Sequence, residues 1–283
     1  MILVTGATGT FGSEVAEALI GRGNPIRVAS TSADKLQKRF GKRAEPSVFD
    51  WNDTPSFEEV LSGIETVYLI APPFSSDFDV KTKAFLEVAK KQNVKNIIVT
   101  TAYGADAAVG SSMYNTEEEV KNSGFNYTVL RPNFIFQNFD KYDLETIKSN
   151  IIFLPTGDGA TSYLDIRDVA EVSAEILTNP SAYNKQELVI TGDEAITHQS
   201  MATTFTEVLG RSISNINPSE EEYKSTLKEA GVPEVVYDFM AMLYAAIKAN
   251  HMGNITSVVK DVTGKNPRKF ETYVKENIEL FKN

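Results

Sequence analysis

The chain has no cysteine among its 283 residues and only two histidines. The absence of cysteine excludes disulfides, thiolate nucleophiles and cysteine-ligated zinc. His198 and His251 lie far apart in the sequence, and neither has a partner at a spacing typical of metal ligands. No Gly-x-Ser-x-Gly segment is present, which argues against a serine hydrolase built on a nucleophile elbow. We therefore expect no bound metal ion and no nucleophilic cysteine or serine.

Positive charge is also scarce. The chain has 28 lysine and arginine residues against 38 aspartate and glutamate residues, and its formal net charge at pH 7 is -10. Such an acidic chain is a poor partner for nucleic acid or for anionic membranes. No apolar run is long enough to span a bilayer, and no basic leader precedes the first predicted strand. We expect a cytoplasmic globular protein, monomeric or homodimeric, whose partner is a small-molecule substrate.

The first twelve residues carry the strongest functional signal. An apolar strand at residues 1–4 leads into the glycine-rich residues 5–12, and a helical pattern follows at once. Gly6 permits a tight turn, Gly9 lets the backbone approach a phosphate, and Gly12 lets the helix pack closely on the strand. Amides at the helix N-terminus and the helix dipole favour an anion. The motif predicts a dinucleotide diphosphate site formed by Gly6, Thr8, Gly9, Thr10, Phe11 and Gly12.

Strand-type and helix-type segments alternate after this motif, which is typical of a parallel sheet covered by helices on both faces. Runs rich in Val, Ile and Leu predict strands at residues 26–29, 47–50, 66–70, 96–101 and 127–130. The expected fold class is α/β: a doubly wound, Rossmann-like parallel sheet with a small α/β C-terminal substrate lobe. We expect one integrated unit in which residues 1–135 form the dinucleotide-binding domain, which also receives strands from about residues 151–192. Residues 136–283 mostly form the substrate-capping lobe.

Two later segments accompany the glycine motif: Leu130-Arg131-Pro132-Asn133-Phe134 and Asp165-Ile166-Arg167-Asp168-Val169-Ala170. With all three, the chain resembles the short-chain dehydrogenase/reductase superfamily, and most closely its atypical NmrA-like branch, which includes dye and quinone reductases. The glycine motif alone is common, whereas its combination with the other two segments is more selective. The resemblance implies an NAD(P)-binding domain with a small substrate lobe.

The chain departs from the superfamily at its usual catalytic pair. Most members use a tyrosine followed four residues later by a lysine, which lowers the phenol pKa so that the tyrosine can deliver a proton. In the matching segment Tyr114 is present, but Glu118 occupies the lysine position. The superfamily's serine falls on Thr101 or Ala102. Tyr114, as an unactivated phenol, and Thr101 are the candidate catalytic residues.

The end of the second strand sets the choice between NAD and NADP. An acid at this place accepts from the ribose 2′-OH, whereas a basic residue accommodates a 2′-phosphate. The chain offers Ser30, Thr31 and Ser32, followed by Lys35, and has no acid among the three strand-end residues. Hydroxyls and an ammonium favour NADP, with NAD also compatible. The alternative is that Ser32 caps a helix and Lys35 is solvated.

The resemblance also implies residues around the adenosine. Asp50 would accept from the adenine amino group, and Trp51 would border the ring or be a partly buried aromatic residue. The segment after the fourth strand would form a wall beside the adenosine or the diphosphate, or a rigid strand exit. That segment is Ala71, Pro72 and Pro73.

The nicotinamide end is assigned by resemblance to Pro132, Asn133 and Phe134, with Asn133 bonding the carboxamide and Phe134 packing on the ring. Further aromatic residues at Phe136, Phe153 and Tyr163 predict a flat apolar acceptor site, although aromatics at such spacings also form plain core. The acidic residues 117–119 are interpreted as a solvated helix N-terminus.

These features favour an NAD(P)H-dependent reductase that transfers hydride to a small, conjugated, uncharged acceptor such as a quinone, dye, imine or enone. Orientation over the nicotinamide and exclusion of water would supply most of the rate gain. The alternative is a non-catalytic NADP-binding redox sensor that regulates a protein partner, which the missing tyrosine–lysine pair would explain. A nucleotide-sugar epimerase or dehydratase is disfavoured because it needs that pair.

Overall fold

The computed structural model describes residues 1–72 and 75–282. The chain divides into two compact units, and each is described by itself. The first contains Met1–Pro132, Ile166–Ile190 and Lys260–Gly264. The second contains Asn133–Asp165, Thr191–Val259 and residues 265–282. The sequence places the end of the first domain near residue 135, and the first long segment of the first unit ends at Pro132.

The described residues contain eleven named strands. They are β1 (Ile2–Val4), β2 (Ile26–Ser30), β3 (Glu45–Val48), β4 (Thr66–Ile70), β5 (Asn96–Thr100), β6 (Asn126–Pro132), β7 (Ile151–Phe153), β8 (Ala160–Thr161), β9 (Gln186–Ile190), β10 (Ile196–Thr197) and β11 (Ser214–Ile216).

The α-helices of the described residues are α1 (Thr10–Gly21), α2 (Ala33–Phe40), α3 (Ser56–Leu61), α4 (Phe78–Lys91), α5 (Ser112–Lys121), α6 (Asn138–Lys141), α7 (Leu144–Lys148), α8 (Ile166–Thr178), α9 (His198–Leu209), α10 (Glu220–Glu229), α11 (Glu234–Lys248), α12 (Val258–Thr263), α13 (Phe270–Glu276) and α14 (Ile278–Phe281). Short 3₁₀ turns lie at Gly41–Arg43, Ala105–Ala107 and Pro180–Tyr183.

The first unit is built on a seven-stranded parallel sheet in the order β3-β2-β1-β4-β5-β6-β9. Strand β1 lies between β2 and β4, and Val4 pairs in register with Val28 and with Tyr68. The strand order reverses direction at β1. In doubly wound sheets ligands bind at the carboxyl ends of the strands beside such a reversal. The predicted Rossmann-like fold is therefore confirmed.

Helices cover both faces of this sheet. One face carries α3, α4 and α5, whose Phe57, Phe85 and Val120 enter a buried apolar cluster. Strand β4 shows the alternation that the pleat requires: Val67 and Leu69 enter that cluster, whereas Tyr68 points to the opposite face beside α8. Helices α1 and α8 pack on each other.

The second unit contains two small sheets and an aromatic core. Strand β7 pairs in parallel with β11, and β8 pairs antiparallel with β10. The strand expected near residue 151 is thus present, but it joins β11 rather than the seven-stranded sheet, whereas β9 joins that sheet. Phe205 packs edge-to-face on Phe139 and on Phe270, with ring centroids 5.8 Å and 5.3 Å apart.

No helix within the described residues combines the length and the apolar character that a membrane crossing needs.

Candidate active site

The glycine loop between β1 and α1 has the geometry that a diphosphate cradle needs. Gly6 has φ of +60°, a left-handed conformation that a side chain disfavours. Its carbonyl oxygen accepts a hydrogen bond from the Gly9 amide at 2.8 Å, which closes the turn. A Cβ added at Gly12 would lie 2.3 Å from that same oxygen. Only glycine therefore allows α1 to start so close to the strand.

The N-terminus of α1 is suited to an anion. Gly9 is the N-cap and offers no side chain, and among the described residues no side chain makes a cap hydrogen bond there. The first turn also contains no acidic residue. First-turn amides have no intrahelical acceptor, and the helix dipole adds positive potential. Residues 8–11 are exposed or partly exposed, so a diphosphate can reach them. The predicted dinucleotide site fits this loop.

The end of β2 holds the residues assigned to the cofactor 2′ position. Ser32 caps α2 by accepting a hydrogen bond from the Lys35 amide at 3.3 Å. The Ser30 hydroxyl accepts from the Ser32 amide at 3.2 Å. Thr31 and the Lys35 side chain are exposed. The structure thus shows the cap of the alternative interpretation, and it leaves Thr31 and Lys35 accessible to a ligand.

The adenine residues differ in what they can offer. Asp50 is half-buried, and its Oδ1 accepts hydrogen bonds from the backbone and the side chain of Asn52 at 2.8 Å and 3.1 Å. Trp51 is only 8% exposed, and its ring packs against Phe49 and Phe78 at 4.8 Å and 4.9 Å. Trp51 is therefore a core residue with little surface for an adenine, which corrects its assignment.

The strand exit after β4 is described only in part. Ala71 and Pro72 are half-buried at the carboxyl edge of the sheet. Pro73, assigned to the same wall, lies outside the described residues. Ile70 stands directly below the glycine loop, since a Cβ added at Gly6 would lie 2.9 Å from its Cγ2.

A buried ion pair occupies the place next to the expected catalytic residues. Helix α5 begins at Ser112, because Ser111 caps it by accepting from the Tyr114 amide at 3.1 Å. The acidic residues 117–119 therefore lie in its later turns. Glu117 is 1% exposed and forms a two-pronged bond with Arg131, at 2.9 Å to Nε and 2.6 Å to Nη2. The predicted solvated helix N-terminus is wrong, since this acid faces the sheet.

The Thr101 hydroxyl also donates a hydrogen bond to this ion pair. Thr101 donates to Glu117 Oε1 at 2.6 Å. Arg131 also bonds Glu187 and lies 3.4 Å from Asp106. Burial alone would lower the pKa of the Arg131 guanidinium, but the bonds to Glu117 and Glu187 outweigh it and raise the pKa.. The Thr101 hydroxyl is therefore already engaged within the fold, and its assignment as a candidate catalytic and cofactor-binding residue stays a prediction.

Tyr114 has no basic neighbour at the superfamily's lysine position. Glu118, which stands there, forms an ion pair with Lys121 at 2.6 Å. The Tyr114 side chain is half-buried. Position 118 therefore supplies no basic group that could replace the lysine of the usual tyrosine–lysine pair.

Asn133 belongs to the second unit, and its amide is already used there. Its Nδ2 donates to Ser162 Oγ and to the Met252 carbonyl oxygen, both at 2.9 Å. Its Oδ1 accepts from the Phe134 amide at 2.9 Å. Both amide protons are spent and the residue is 4% exposed, so its assignment as a donor to a carboxamide is corrected.

The aromatic residues assigned to the acceptor divide into core and candidate wall. Phe136 is 1% exposed and packs on Phe270 at 5.2 Å, so it is a core residue and not a wall. Phe134 is half-buried and lies 5.5 Å from the Tyr163 ring and 6.4 Å from the Tyr244 ring. Phe153 is half-buried.

A buried histidine orients Tyr163. The Tyr163 hydroxyl lies 3.0 Å from His198 Nε2, and Thr156 Oγ1 lies 2.8 Å from His198 Nδ1. Burial lowers the pKa of His198 to about 4, so the imidazole is neutral at pH 7. Burial, followed by the charge of Asp143, raises the pKa of Tyr163 well above its usual value. This chain of three side chains was missed in the sequence because its members lie in separate segments.

Asp143 was missed as well. It directly precedes α7 and is partly accessible to solvent. Burial of its carboxyl among protein atoms raises its pKa to about 7. Its charge in turn raises the pKa of Tyr244 and of Tyr223, secondary to the burial of those two phenols. The charge of Asp143 thus acts on three phenols of the second unit: Tyr163 in a loop, Tyr223 in α10 and Tyr244 in α11.

Comparison with known proteins identifies the class. The family described as NAD(P)H-binding matches residues 6–180, and the chain belongs to this NAD(P)H-binding family. The NAD(P)H azoreductase of Xenophilus azovorans is 27% identical over 285 residues, which cover 99% of both chains.

Two solved structures share the fold. The triphenylmethane reductase of Citrobacter sp., complexed with NADP(H), has a TM-score of 0.88 at 23% identity and covers 98% of this chain and 99% of its own. NmrA, a negative transcriptional regulator solved with NAD, has a TM-score of 0.81 at 14% identity and covers 99% and 96%. The predicted NAD(P) cofactor and the class of NAD(P)H-dependent oxidoreductase are confirmed, and the shared fold agrees with the predicted resemblance to an atypical, NmrA-like branch.

Proposed function

We propose that this chain reduces a flat, conjugated small molecule with hydride from NADPH and does so without a lysine-activated tyrosine. The observation that carries the proposal is the glycine loop. It leaves the N-terminus of α1 without a side-chain cap and without an acidic first turn in the part of the chain that the structure describes. A diphosphate satisfies that helix end, and the bound reduced nicotinamide supplies the hydride.

The cofactor contacts follow from the positions at the carboxyl edge of the sheet. We assign the diphosphate to Gly6, Thr8, Gly9, Thr10, Phe11 and Gly12. The ammonium of Lys35 and the hydroxyl of Thr31 would bind a 2′-phosphate, which favours NADP over NAD. Asp50, with Ala71 and Pro72, remains assigned to the adenosine side.

The acceptor side chains belong to the second unit. The half-buried Phe134 and Phe153 have ring surface to offer a ligand, whereas Tyr163, 3% exposed, packs beside Phe134 at 5.5 Å and supports it. Such walls hold a flat molecule by stacking and exclude water. A neutral acceptor would take its proton from solvent or from Tyr114.

The test is cofactor binding and turnover in one series. NADPH and NADH are titrated against the protein by calorimetry, and NADPH oxidation is then followed by absorbance with a naphthoquinone and an azo dye. Gly12→Ala should abolish measurable NADPH binding, because the new Cβ would meet the Gly6 carbonyl. Gly21→Ala is the matched control in the same helix, since a Cβ there meets nothing within 4 Å. Equal NADPH binding by both variants would contradict the assigned cradle.

The preference for NADP is tested at Lys35. Lys35→Ala should weaken NADPH binding about tenfold through the loss of one cation from a 2′-phosphate, and NADH binding should not change. Lys38→Ala, which removes an exposed lysine from the last turn of the same helix, is the control. An equal effect of Lys35→Ala on both nucleotides would show that Lys35 does not discriminate between them.

A second function, a redox sensor that binds NADP and regulates a protein partner, is favoured by the absent tyrosine–lysine pair and by the engaged hydroxyl of Thr101. It predicts NADP binding with no NADPH consumption for any acceptor. The net charge of -10 supports our further proposal of no nucleic-acid partner, and a cytoplasmic location is proposed as well. A monomer or homodimer is proposed for the quaternary state.

A further inference from the structure

We propose that a basic stretch of chain beside the glycine loop steers the anionic cofactor to its site. The stretch, called the basic segment below, spans residues 35–43 and contains no acidic residue; its cations are Lys35, Lys38, Arg39, Lys42 and Arg43. Its partner is a phosphate-rich nucleotide, and its role is to speed the capture of that nucleotide. The inference rests on the proposed NADPH-dependent function and extends it from the bound contacts to the approach of the cofactor.

The charge of the basic segment is opposite to that of the whole chain. Five of the 28 lysine and arginine residues lie in these nine positions, whereas the formal net charge of the chain is -10. A chain of that charge repels a dinucleotide, and it repels NADPH more than NADH because a 2′-phosphate adds about 1.5 to 2 negative charges. Cations concentrated beside the site offset this repulsion and attract the anion during diffusion.

The basic segment adjoins the glycine loop through strand β2. The Ala7 amide of the loop donates to the Ala29 carbonyl oxygen of β2 at 3.0 Å. Strand β2 ends one residue later, and α2 begins at Ala33, so Lys35 lies in the first turn of a helix that starts beside the loop. The other cations follow along α2 and the 3₁₀ turn at Gly41–Arg43. The segment is thus a line of positive charge with one end at the cradle.

The two arginines of the segment neutralise acids on α1, the helix that carries the cradle. Arg39 Nη2 lies 3.2 Å from Glu14 Oε1. Arg43 bonds Glu17 through both Nη atoms, at 2.5 Å and 2.9 Å. Without these partners the two carboxylates would oppose an incoming anion. The arginines therefore cancel the acids of α1, which leaves the lysines to supply the attraction.

The three lysines of the segment are exposed and have no carboxylate within 4.0 Å in residues 1–72 and 75–282. Lysines elsewhere in this acidic chain are commonly paired. Helix α4 shows this in three ion pairs: Lys81–Asp77 at 2.9 Å, Lys83–Glu119 at 3.5 Å and Lys90–Glu87 at 2.8 Å. The unpaired lysines of α2 are therefore available to an anion from solution.

The test measures association rates as well as affinity. The wild-type protein and its variants are mixed with NADPH or NADH by stopped flow, and nicotinamide fluorescence follows binding at ionic strengths of about 10 mM and about 500 mM. The double variant Lys38→Glu/Lys42→Glu keeps Lys35, which we assign to direct contact. At the low ionic strength it should lower the association rate constant for NADPH about tenfold and leave the dissociation rate constant unchanged.

The matched control is Lys90→Glu/Lys91→Glu, which makes the same change of net charge in the last turn of α4. Helix α4 lies on the other face of the sheet from α1. The control should lower the association rate constant by about twofold or less, through net charge alone. Circular dichroism establishes that both double variants are folded.

Two further comparisons identify the effect as long-range. The fall in the Lys38→Glu/Lys42→Glu variant should be smaller for NADH, about threefold, because NADH lacks the charge of the 2′-phosphate. It should disappear at about 500 mM ionic strength, where charges farther apart than a few ångströms are screened. The calorimetric comparison of Lys35→Ala with Lys38→Ala therefore belongs at that ionic strength, where direct contact alone is detected.

Three results would overturn the inference: an unchanged association rate in Lys38→Glu/Lys42→Glu, an equal fall in the control, or a fall that persists at high ionic strength. A change confined to the dissociation rate would likewise overturn it, since the lysines would then touch the bound nucleotide. Failure of the wild-type protein to bind NADPH would contradict the proposed function and the steering together. Binding and turnover by the wild-type protein, with equal association rates in the variants, would remove the steering alone.

Discussion

Glu117 in the first unit is a buried carboxylate and Asp143 in the second is a partly accessible one, and their surroundings are opposite. Glu117 accepts hydrogen bonds from the guanidinium of Arg131 and from the hydroxyl of Thr101. Among the described residues no salt bridge joins Asp143 to a cation, and burial raises the pKa of its carboxyl to about 7. The first arrangement satisfies a charge within the fold. Asp143 has no such partner within the described residues, so a proton or a ligand would have to neutralise its charge.

The comparison shows why burial alone does not mark a functional acid. Removing the partner of a paired buried charge is costly, so a pair such as Glu117–Arg131 is maintained by folding. An unpaired acid in an aromatic setting lowers stability, and such groups cluster at binding and catalytic sites. Three measurements of stability test this distinction.

Replacement of Glu117 should have the largest effect. Glu117→Gln should lower the free energy of unfolding by about 3 kcal/mol, because it leaves Arg131 buried without its two-pronged partner. Glu118→Gln on the same helix should lower it by about 0.5 kcal/mol or less, since its ion pair with Lys121 is at the surface. Urea titration measures both. Equal losses in the two variants would show that the buried pair contributes no more than the surface pair.

The buried histidine of the second unit should produce a pH effect of intermediate size. The folded pKa of His198 is about 4 and the unfolded value is near 6.5, so the unfolded chain binds the proton more readily. Stability should therefore fall as the pH decreases from about 6.5 to about 4, by roughly 2–3 kcal/mol from this group. His198→Gln should remove that part of the slope, measured by urea titration at pH 4.5 and pH 7. A slope identical to that of the wild-type protein would refute the neutral buried imidazole.

Replacement of Asp143 should have the smallest effect and the opposite sign. The folded pKa of Asp143 is about 7 and lies above the unfolded value near 4, so ionisation of this group costs stability as the pH rises between the two. Asp143→Asn should raise the free energy of unfolding at pH 8 by about 1–2 kcal/mol, less than the full pKa change corresponds to because Asp143 is partly accessible to solvent, and should have little effect near pH 4. Thermal unfolding at the two pH values measures it. A variant less stable than the wild-type protein at pH 8 would place Asp143 with the structural acids.

The sequence was sufficient for the cofactor loop and insufficient for the acceptor side. Gly6 and Gly12 act through backbone conformation and close approach within eight consecutive residues, and such local constraints are legible in a single sequence. On the acceptor side Phe134, Asp143 and Tyr163 lie in three separate loops, and tertiary packing of these loops is encoded by no local pattern. Trp51 and Phe136 show the reverse error, because an aromatic residue near a site motif is as suited to core as to a ligand wall.

Glu117 was misassigned because α5 begins four residues earlier than the acidic run suggests. Two signals could have located it. Ser111 is a good N-cap, and a helix that starts after Ser111 contains residues 117–119 in its later turns. Arg131 lies in an apolar strand, and a guanidinium in such a strand requires an acid nearby.

The way the glycine loop is built bears on how this protein could be altered. Everything that shapes that loop comes from one short stretch of chain, whereas the acceptor side chains lie at positions scattered between residues 134 and 163. A saturation library confined to those scattered positions would explore new dyes, imines or quinones as oxidants. Every variant in that library would keep the unchanged glycine loop that we assign to NADPH binding.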